Sequence, residues 1–249
     1  MNKTKHFLYL CLAVLLSGCA AQSNSLSETS GTVDPWEGYN RSVFAFNEGV
    51  DKTVLKPVST AYANLVPSFI RTRVTSFFAN IEDIPIAANN FLQGNAGAGL
   101  SDLMRVLVNS TIGLAGLFDV ASKIDGLEKH NEDFGQTLAV WGVESGPYVM
   151  IPILGPSTAR DFPSRLVDIV MNPLTHVEDD DWRTSLLITD VVDTRANFIP
   201  LEDTVKAMSP DYYVALRDFY LKRRQSLIEN NEGDGGSDKL YEQLLSESE

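Results

Sequence analysis

Two sets of residues in this chain are placed to do something chemical: one cysteine, and a block of glycines and prolines. Cys19 ends the string Leu16-Ser17-Gly18-Cys19, which resembles the lipobox of bacterial lipoproteins. There the thiol takes a diacylglycerol, and the new N-terminus is usually acylated too. Each buried methylene adds about 0.8 kcal/mol, so several acyl chains give durable attachment to a membrane. Cys11 is removed upstream of that cut, so the mature chain has no thiol for a disulfide, thiol catalysis or a thiolate metal site. The catalytic constellations are missing. His130 and His176 lack a second His or Cys at metal-ligand spacing. Gly142-Val-Glu-Ser-Gly146 has the wrong order for a nucleophile elbow. Gly94, Gly97 and Gly99 follow a helical pattern rather than the strand that a phosphate loop needs. Glu178-Asp-Asp-Asp181 lacks the alternating ligands and glycine of a calcium loop. The expectation is a protein that is not an enzyme and takes neither metal nor cofactor.

The segments around Cys19 explain its placement. Lys3 and Lys5 precede a short apolar run, Phe7 to Leu16, and small residues follow. That run falls short of the roughly 20 residues that span a bilayer. Residues 1–18 therefore read as a lipoprotein signal peptide, and 19–33, small and polar, as a lipidated flexible tether. Ala20, not aspartate, follows the cysteine. By the sorting rule of enteric-type bacteria this favours the outer membrane. The formal charge is −13, and loss of Lys3 and Lys5 makes it two units more negative. Nucleic acid is excluded as a partner, since phosphate backbones need a basic surface. Anionic headgroups are repelled as well, so membrane contact must come from apolar area and the anchor.

Residues 34–228 read as one helical domain. Trp36, Tyr39, Val43, Phe46 and Val50 recur at helical spacing, with Asp34 as N-cap and Pro35 in the first turn. Pro67 opens a second helix with the stripe Phe69, Ile70, Val74, Phe77, Phe78 and Ile81, and Arg71 and Arg73 point elsewhere. A third helix, Ile86 to Gln93, stops at Gly94. A fourth uses Leu100, Leu103, Met104, Leu107 and Ile112. Helical patterns return at Thr184–Phe198 and Pro210–Leu227, the latter capped by Ser209. Each stripe reads as a core face, although its large aromatics also suit a membrane-facing rim. Between Phe134 and Asp161 the pattern breaks. Gly142, Gly146, Pro147, Pro152, Gly155 and Pro156 interrupt any helix, and Tyr148, Ile151 and Ile153 lie among them. This is a hairpin or an extended loop. Its glycines permit hinge torsions, and Arg160 with Asp161 can fix its base as a pair. Residues 229–249 form an acidic linker and a short amphipathic segment with Leu240, Tyr241, Leu244 and Leu245, a candidate contact for a periplasmic carrier.

Longer strings point to a family. Asp34-Pro-Trp-Glu-Gly-Tyr-Asn-Arg41 with Phe44-Ala-Phe-Asn47 resembles the N-terminal signature of the MlaA/VacJ lipoproteins. Val66-Pro67 with Arg71, Asn90-Phe-Leu-Gln-Gly94, Arg105 with Asn109-Ser-Thr-Ile-Gly113, and Gly116-Leu-Phe-Asp119 follow in order. The most specific block is Glu132-Asp-Phe-Gly-Gln-Thr-Leu138, Trp141-Gly-Val, Gly146-Pro-Tyr148, Pro152, Gly155-Pro-Ser157 and Arg160-Asp161. Arg195 and Asp211 to Arg224 close the series. The resemblance implies a mainly α fold, a ring-like bundle of short amphipathic helices around a central amphipathic channel, with the Gly/Pro block as loop or hairpin. It implies removal of misplaced phospholipid from the outer leaflet of the outer membrane. The lipid passes to a soluble carrier, MlaC, often beside trimeric porins, with no chemistry on the lipid. The anchor would hold the protein on the periplasm-facing inner leaflet. The competing reading is a structural or adaptor lipoprotein of the envelope.

Cys19→Ala is expected to abolish lipidation and release the protein from the membrane fraction, as read by immunoblot of fractionated cells. Full retention with full function would contradict the anchor.

Overall fold

The computed structural model describes residues 34–207 and 209–229. Cys19, the tether, and Leu240, Tyr241, Leu244 and Leu245 lie outside the described residues. The described chain is mainly α with one small hairpin. Helix α1 (Glu37–Val50) runs through a π-helical turn, Asp51–Leu55, into α2 (Lys56–Leu65). Pro57 has no N–H to donate to the preceding turn, and the wider turn absorbs that loss. Helix α3 (Ser68–Leu92) begins after Pro67 and folds back at Gly94 onto α4 (Ala96–Thr111). Gly94 holds φ at +84°, the left-handed cap that a β-carbon resists.

A loop with a 3-10 turn at Ala121–Lys123 leads to α5 (Phe134–Val140). Strands β1 (Tyr148–Ile151) and β2 (Gly155–Thr158) then pair antiparallel, Tyr148 opposite Thr158 and Ile151 opposite Gly155. Helices α6 (Asp161–Met171), α7 (Asp180–Ala207) and α8 (Tyr212–Glu229) complete the chain. α2 and α3 pack on α7, α7 on α8, α5 on α6, and the hairpin lies against α1, α6 and α8.

Several expectations change, among them the break read from Phe134 onward: Phe134–Val140 forms helix α5, and the glycine and proline interruption takes effect only after it, from Gly142. The third helix does not stand alone, because α3 continues through Pro85 to Leu92. Packing against α4 outweighs the single ladder donor that Pro85 removes. Helix α7 likewise passes through Pro200 and is longer than Thr184–Phe198. The caps also shift. Asp34 does not cap α1 but is buried, accepting from Asn40 Nδ2 at 2.7 Å and from the Tyr213 hydroxyl. At α8 it is Asp211 Oδ1 that takes the Tyr213 N–H at 3.0 Å, while Ser209 Oγ takes the Asp211 N–H.

Packing follows two regimes. Tyr148, Met150 and Tyr213 form an apolar core with Val43, Phe44, Leu216 and Tyr220. Leu201, Val205 and Ala215 form another with Phe198, Tyr212 and Phe219. Here rings meet edge to face, Phe44 to Tyr212 and Tyr213 at 5.6 Å each. The α3–α4 half is inverted. Its interior holds Asn80, Asp83, Asn89, Asn90, Asp102, Arg105 and Asn109, all buried. Its outer face carries exposed Phe69, Ile70, Ile84, Phe91, Leu100, Leu103, Leu107 and Ile112. The α1 stripe is also turned outward at Trp36, Tyr39, Phe46 and Val50. So the α4 stripe does not face a core, and of the α1 stripe only Val43 does. No helix among the described residues is long and apolar enough to cross a membrane.

Arg105 holds the inverted half together. Its Nε meets Asp83 Oδ2 at 3.2 Å, Nη2 meets Asp119 Oδ2 at 3.1 Å, and Nη1 donates to Leu127 O at 2.8 Å. Lys129 adds a second cation to Asp83 at 3.1 Å. Asn109 accepts from the Val120 and Ala121 N–H groups and donates to Asp119, so the loop is tied to α4 at each end. Removing one partner of a buried pair leaves the other charge uncompensated, at a cost of about 3–5 kcal/mol. Arg105→Ala should therefore lower stability by about that much, read from the denaturant midpoint in detergent. A loss below about 1 kcal/mol would place the pair at the level of a surface ion pair.

Candidate functional site

The inverted packing leaves a polar cavity of about 790 Å³ between α3, α4, Asp119 and α7. Ser68, Arg71, Thr72, Thr75, Ser76 and Asn80 form its α3 wall; Arg105 and Asn109 come from α4, and Asn197 from α7. The wall exists because α3 places polar side chains at spacings of three and four, one helical face. Several hydroxyls are committed to protein groups. Thr72 donates to Ser68 O at 3.0 Å and Ser76 to Thr72 O at 2.8 Å. Thr75 donates to Asp193 Oδ2 at 2.6 Å, and that buried carboxylate also accepts from the Tyr62 hydroxyl at 2.8 Å and from Asn197 at 3.2 Å. The protons of these hydroxyls are thereby spent on protein acceptors. Arg71 is half-buried; its Nε is fully enclosed and has no hydrogen-bond partner among the described residues.

The block Glu132 to Asp161 builds a second polar cluster. Asp133 caps α5 by accepting the Gln136 N–H at 2.9 Å, and also receives the Arg224 fork, with Nη2 at 2.7 Å and Nη1 as a further contact. Arg224 Nη2 reaches Asp161 Oδ1 at 3.0 Å, Arg160 Nε donates to the same oxygen at 2.8 Å, and the Tyr220 hydroxyl donates to Asp161 Oδ2 at 3.1 Å. Burial raises the carboxyls of Asp133 and Asp161, but their hydrogen bonds to Arg224 and Arg160 outweigh it and hold both below the usual range. Glu132, without such an ion pair, is pushed by burial up to about 7, although Gln93 donates to it at 2.8 Å. A β-carbon on Gly135 would lie 2.3 Å from Arg224 Nη2 and 2.6 Å from Asp161 Oδ1, so only glycine fits under the fork.

The hairpin is fastened to α1 by two asparagines. Asn40 accepts the Met150 N–H at 2.7 Å and donates to Tyr148 O at 3.2 Å. Asn47 donates to Ile151 O at 2.9 Å and accepts the Ile153 N–H at 2.7 Å. Each side-chain amide thus mimics a neighbouring strand. The base of the hairpin is buried at Tyr148, Met150, Ser157 and Thr158. Its tip is Pro152-Ile153-Leu154, where exposed Ile153 sits at φ +67°, a strained setting for a β-branched residue. Met150, Leu154, Gly155 and Pro156 border a separate apolar cavity of about 420 Å³, with Phe44, Phe198, Tyr212 and Phe219 across it.

Of the residues singled out in sequence, Tyr148 sits in the apolar core, and Arg160 and Asp161 join the Arg224 cluster. Gly142 and Gly146 occupy left-handed turns at φ +89° and +67°, and a β-carbon on Gly146 would meet Ala159 Cβ at 2.9 Å. Pro147 accepts the Ala159 N–H at 3.0 Å beside them. Gly155 (φ +80°) and Pro156 line the apolar cavity, and Pro152 opens the hairpin tip. None of these lines the polar cavity. Of the residues that do, Arg71, Arg105, Asn109 and Asp119 stand in the strings that carry the family resemblance, and the others stand in none. The available signal was the polar face of α3, Ser68-Thr72-Thr75-Ser76-Asn80-Asp83. Among the described residues, no group of three or more His, Cys, Asp or Glu is arranged to hold a metal.

The fold and cavity define a mainly α protein in which the α3–α4 half turns polar groups inward and apolar side chains outward, the distribution suited to a lipid environment. The chain belongs to the MlaA lipoprotein family, whose family model matches residues 32–227. A protein of Rickettsia typhi is 37% identical over 197 residues, covering 79% of this chain and 78% of that one. The intermembrane phospholipid transport system lipoprotein MlaA of Escherichia coli K12 is 32% identical over 225 residues, covering 88% and 86%. A solved structure described as "Structural basis for maintenance of bacterial outer membrane lipid asymmetry" is similar with a TM-score of 0.68 and 31% identity, covering 78% of this chain and 98% of that one.

Gly135→Ala should pry Arg224 from Asp133 and Asp161 and cost about 1–3 kcal/mol, the range for overpacking a filled site. Gly142 has open space around its α-carbon, so Gly142→Ala should register only the left-handed backbone penalty, about 1–2 kcal/mol. Thermal melts of the two variants in detergent check the ranking, with Gly135→Ala the less stable.

Proposed function

We propose that this chain removes phospholipid misplaced in the outer leaflet of the outer membrane and passes it to a soluble periplasmic carrier of the MlaC type, so that lipid asymmetry is maintained. The observation that carries this reading is the inverted α3–α4 half: an apolar exterior that fits acyl chains surrounds a polar cavity that fits a headgroup. The three tryptophans support it. Trp36, Trp141 and Trp182 are all exposed, and Trp141 keeps its indole N–H on Leu92 O at 3.0 Å, the half-wet placement of aromatics at a membrane interface. The phospholipid transport named for the Escherichia coli relative and the lipid asymmetry that describes the similar solved structure agree with the same reading.

The acylated Cys19 holds the protein to the periplasm-facing inner leaflet of the outer membrane, with trimeric porins as neighbours. Leu240, Tyr241, Leu244 and Leu245 meet the carrier. The hairpin between Gly142 and Arg160 moves as a flap, its strained Ile153 tip released from Asn47 while its base stays on Asn40. No bond of the lipid is made or broken.

Protein purified from native membranes should carry intact phospholipid by mass spectrometry, and a deletion strain should expose phospholipid on the cell surface. Protein without bound lipid, together with normal asymmetry in the deletion strain, would leave an adaptor role instead. An Asn47→Cys/Ile153→Cys bridge is expected to block the asymmetry function when oxidised and restore it on reduction. Equal function in both states would make the hairpin a fixed element.

A further inference from the structure

Two cations line the polar cavity, and they are not equivalent. Arg105 is consumed by Asp83 and Asp119. The Arg71 guanidinium has no ion pair and no hydrogen bond among the described residues, where only its main chain is paired, with Pro67 O and the Thr75 hydroxyl, and its Nε is enclosed without a partner. A guanidinium left in this way forfeits charge-assisted hydrogen bonds, unless something outside the described chain accepts them. Its neighbours do not compete for an anion's oxygens, because the hydroxyls of Thr72, Thr75 and Ser76 already donate to protein groups. Arg71 also lies one turn inside α3, whose N-terminus carries no side-chain cap, so the nearby helix dipole adds positive potential.

The surface beside it is of the opposite kind. Leu65, the last residue of α2, is 81% exposed, and Phe69 and Ile70 in the first turn of α3 are 65% and 41% exposed. A cation in the cavity with bare aliphatic and aromatic groups at neighbouring chain positions has the polarity profile of one molecule, an anionic group carrying hydrocarbon. The cavity, at about 790 Å³, falls within the roughly 300–1,000 Å³ of pockets that hold small ligands.

We infer that Arg71 is the seat of the phosphodiester of a phospholipid headgroup, with the acyl chains leaving over Leu65, Phe69 and Ile70. This rests on the phospholipid-transfer reading above and adds the group that holds the lipid. A planar guanidinium takes two phosphate oxygens at once, which a lysine ammonium cannot, so Arg71→Lys keeps charge but loses the fork. The competing role for Arg71 is structural. Among the described residues Asp193 is buried with three neutral donors and no ion pair, and Arg71 acts electrostatically on the adjacent Tyr62. In that role Arg71 would serve as a distant counter-charge.

The test uses full-length lipoprotein purified from native membranes, as wild type, Arg71→Gln, Arg71→Lys and Arg73→Gln. Arg73 stacks on Phe118 at 4.3 Å and does not line the cavity. Bound phospholipid per protein is measured by mass spectrometry, and stability by thermal melt. Arg71→Gln should lose bound phospholipid by about tenfold or more, Arg71→Lys should fall between, and Arg73→Gln should match wild type. Wild-type lipid content in Arg71→Gln overturns the inference; when it is joined to a lowered melt, Arg71 is the counter-charge of Asp193. Should Arg71→Gln not fold, Arg71→Lys decides, and lipid content equal to wild type overturns the inference. Wild-type protein that itself carries no phospholipid overturns the transfer reading instead. To separate lipid from free phosphate, delipidated wild type is titrated with dihexanoyl phosphatidylglycerol and with inorganic phosphate. Affinity at least tenfold greater for the lipid is expected, and equal affinities would make the seat one for free phosphate.

Discussion

A buried guanidinium governs this structure. Arg105, 2% exposed, joins α4 to Asp83 on α3 and to Asp119 and Leu127 O in the following loop. Without it, three carboxylate or carbonyl groups in the interior would face one another with Lys129 as the remaining cation on Asp83. With it, α3 and α4 can turn their polar faces toward each other and leave their apolar faces outside. Interior ion pairs normally add little net stability in water, because desolvating them offsets their attraction. Here they serve a different end. They allow a helical pair to cohere without an apolar interface, and so leave a wettable cavity between helices whose outsides suit hydrocarbon.

The rest of the chain supports that arrangement by ordinary means. The apolar cores around Tyr213 and Leu201 anchor α8 to α1, the hairpin and the second half of α7. At the join, Arg195 pairs with Asp51 at 2.8 Å and with Glu202 at 2.6 Å, so the π-turn that reorients α2 is fastened to α7. Arg224 does the same between α8, α5 and α6. Each long-range clamp uses an arginine fork on carboxylates, the geometry that fixes orientation as well as distance.

The periodicity of the helices from Glu37, Ser68, Ala96, Asp180 and Tyr212 is legible, because period is a local property, whereas α2, α5, α6 and the caps of α1 and α8 are not. Gly94 as a stop is visible for the same reason, and so is the glycine and proline break, which the structure confines to the residues after α5. Which face meets protein was not legible. Leu100, Leu103, Leu107 and Ile112 share one side of α4 by spacing alone, but spacing is silent about the medium outside. Spacing alone therefore fits a core face and a membrane-facing rim equally. The family strings have a physical content that appears only in three dimensions. Asn90 donates to Asp102 at 2.8 Å, Asn109 to Asp119 at 3.0 Å, and Asn40 to Asp34 at 2.7 Å. Glu132-Asp-Phe-Gly-Gln-Thr-Leu138 is a helix cap, an arginine seat and a glycine without room for a methyl group. Pairings between residues 91 or 179 positions apart, Arg224 with Asp133 and Tyr213 with Asp34, leave no local trace. The hairpin drew attention because glycine and proline are conspicuous, whereas the cavity wall is made of common residues whose meaning depends on what α7 brings opposite.

The outward apolar face has a consequence for how such a chain reaches its place. In water those leucines and phenylalanines gain nothing by being where they are, and the polar interior that excludes them must compete with solvent for its own hydrogen bonds. In hydrocarbon both terms reverse: the exterior is at ease, and the interior charges attract more strongly as the dielectric falls. The final architecture is thus one that its destination stabilises and the aqueous route to it does not. A chain built in this way needs an escort across the intervening water, because its exposed stripes are as ready to stick to one another as to the bilayer that will receive them.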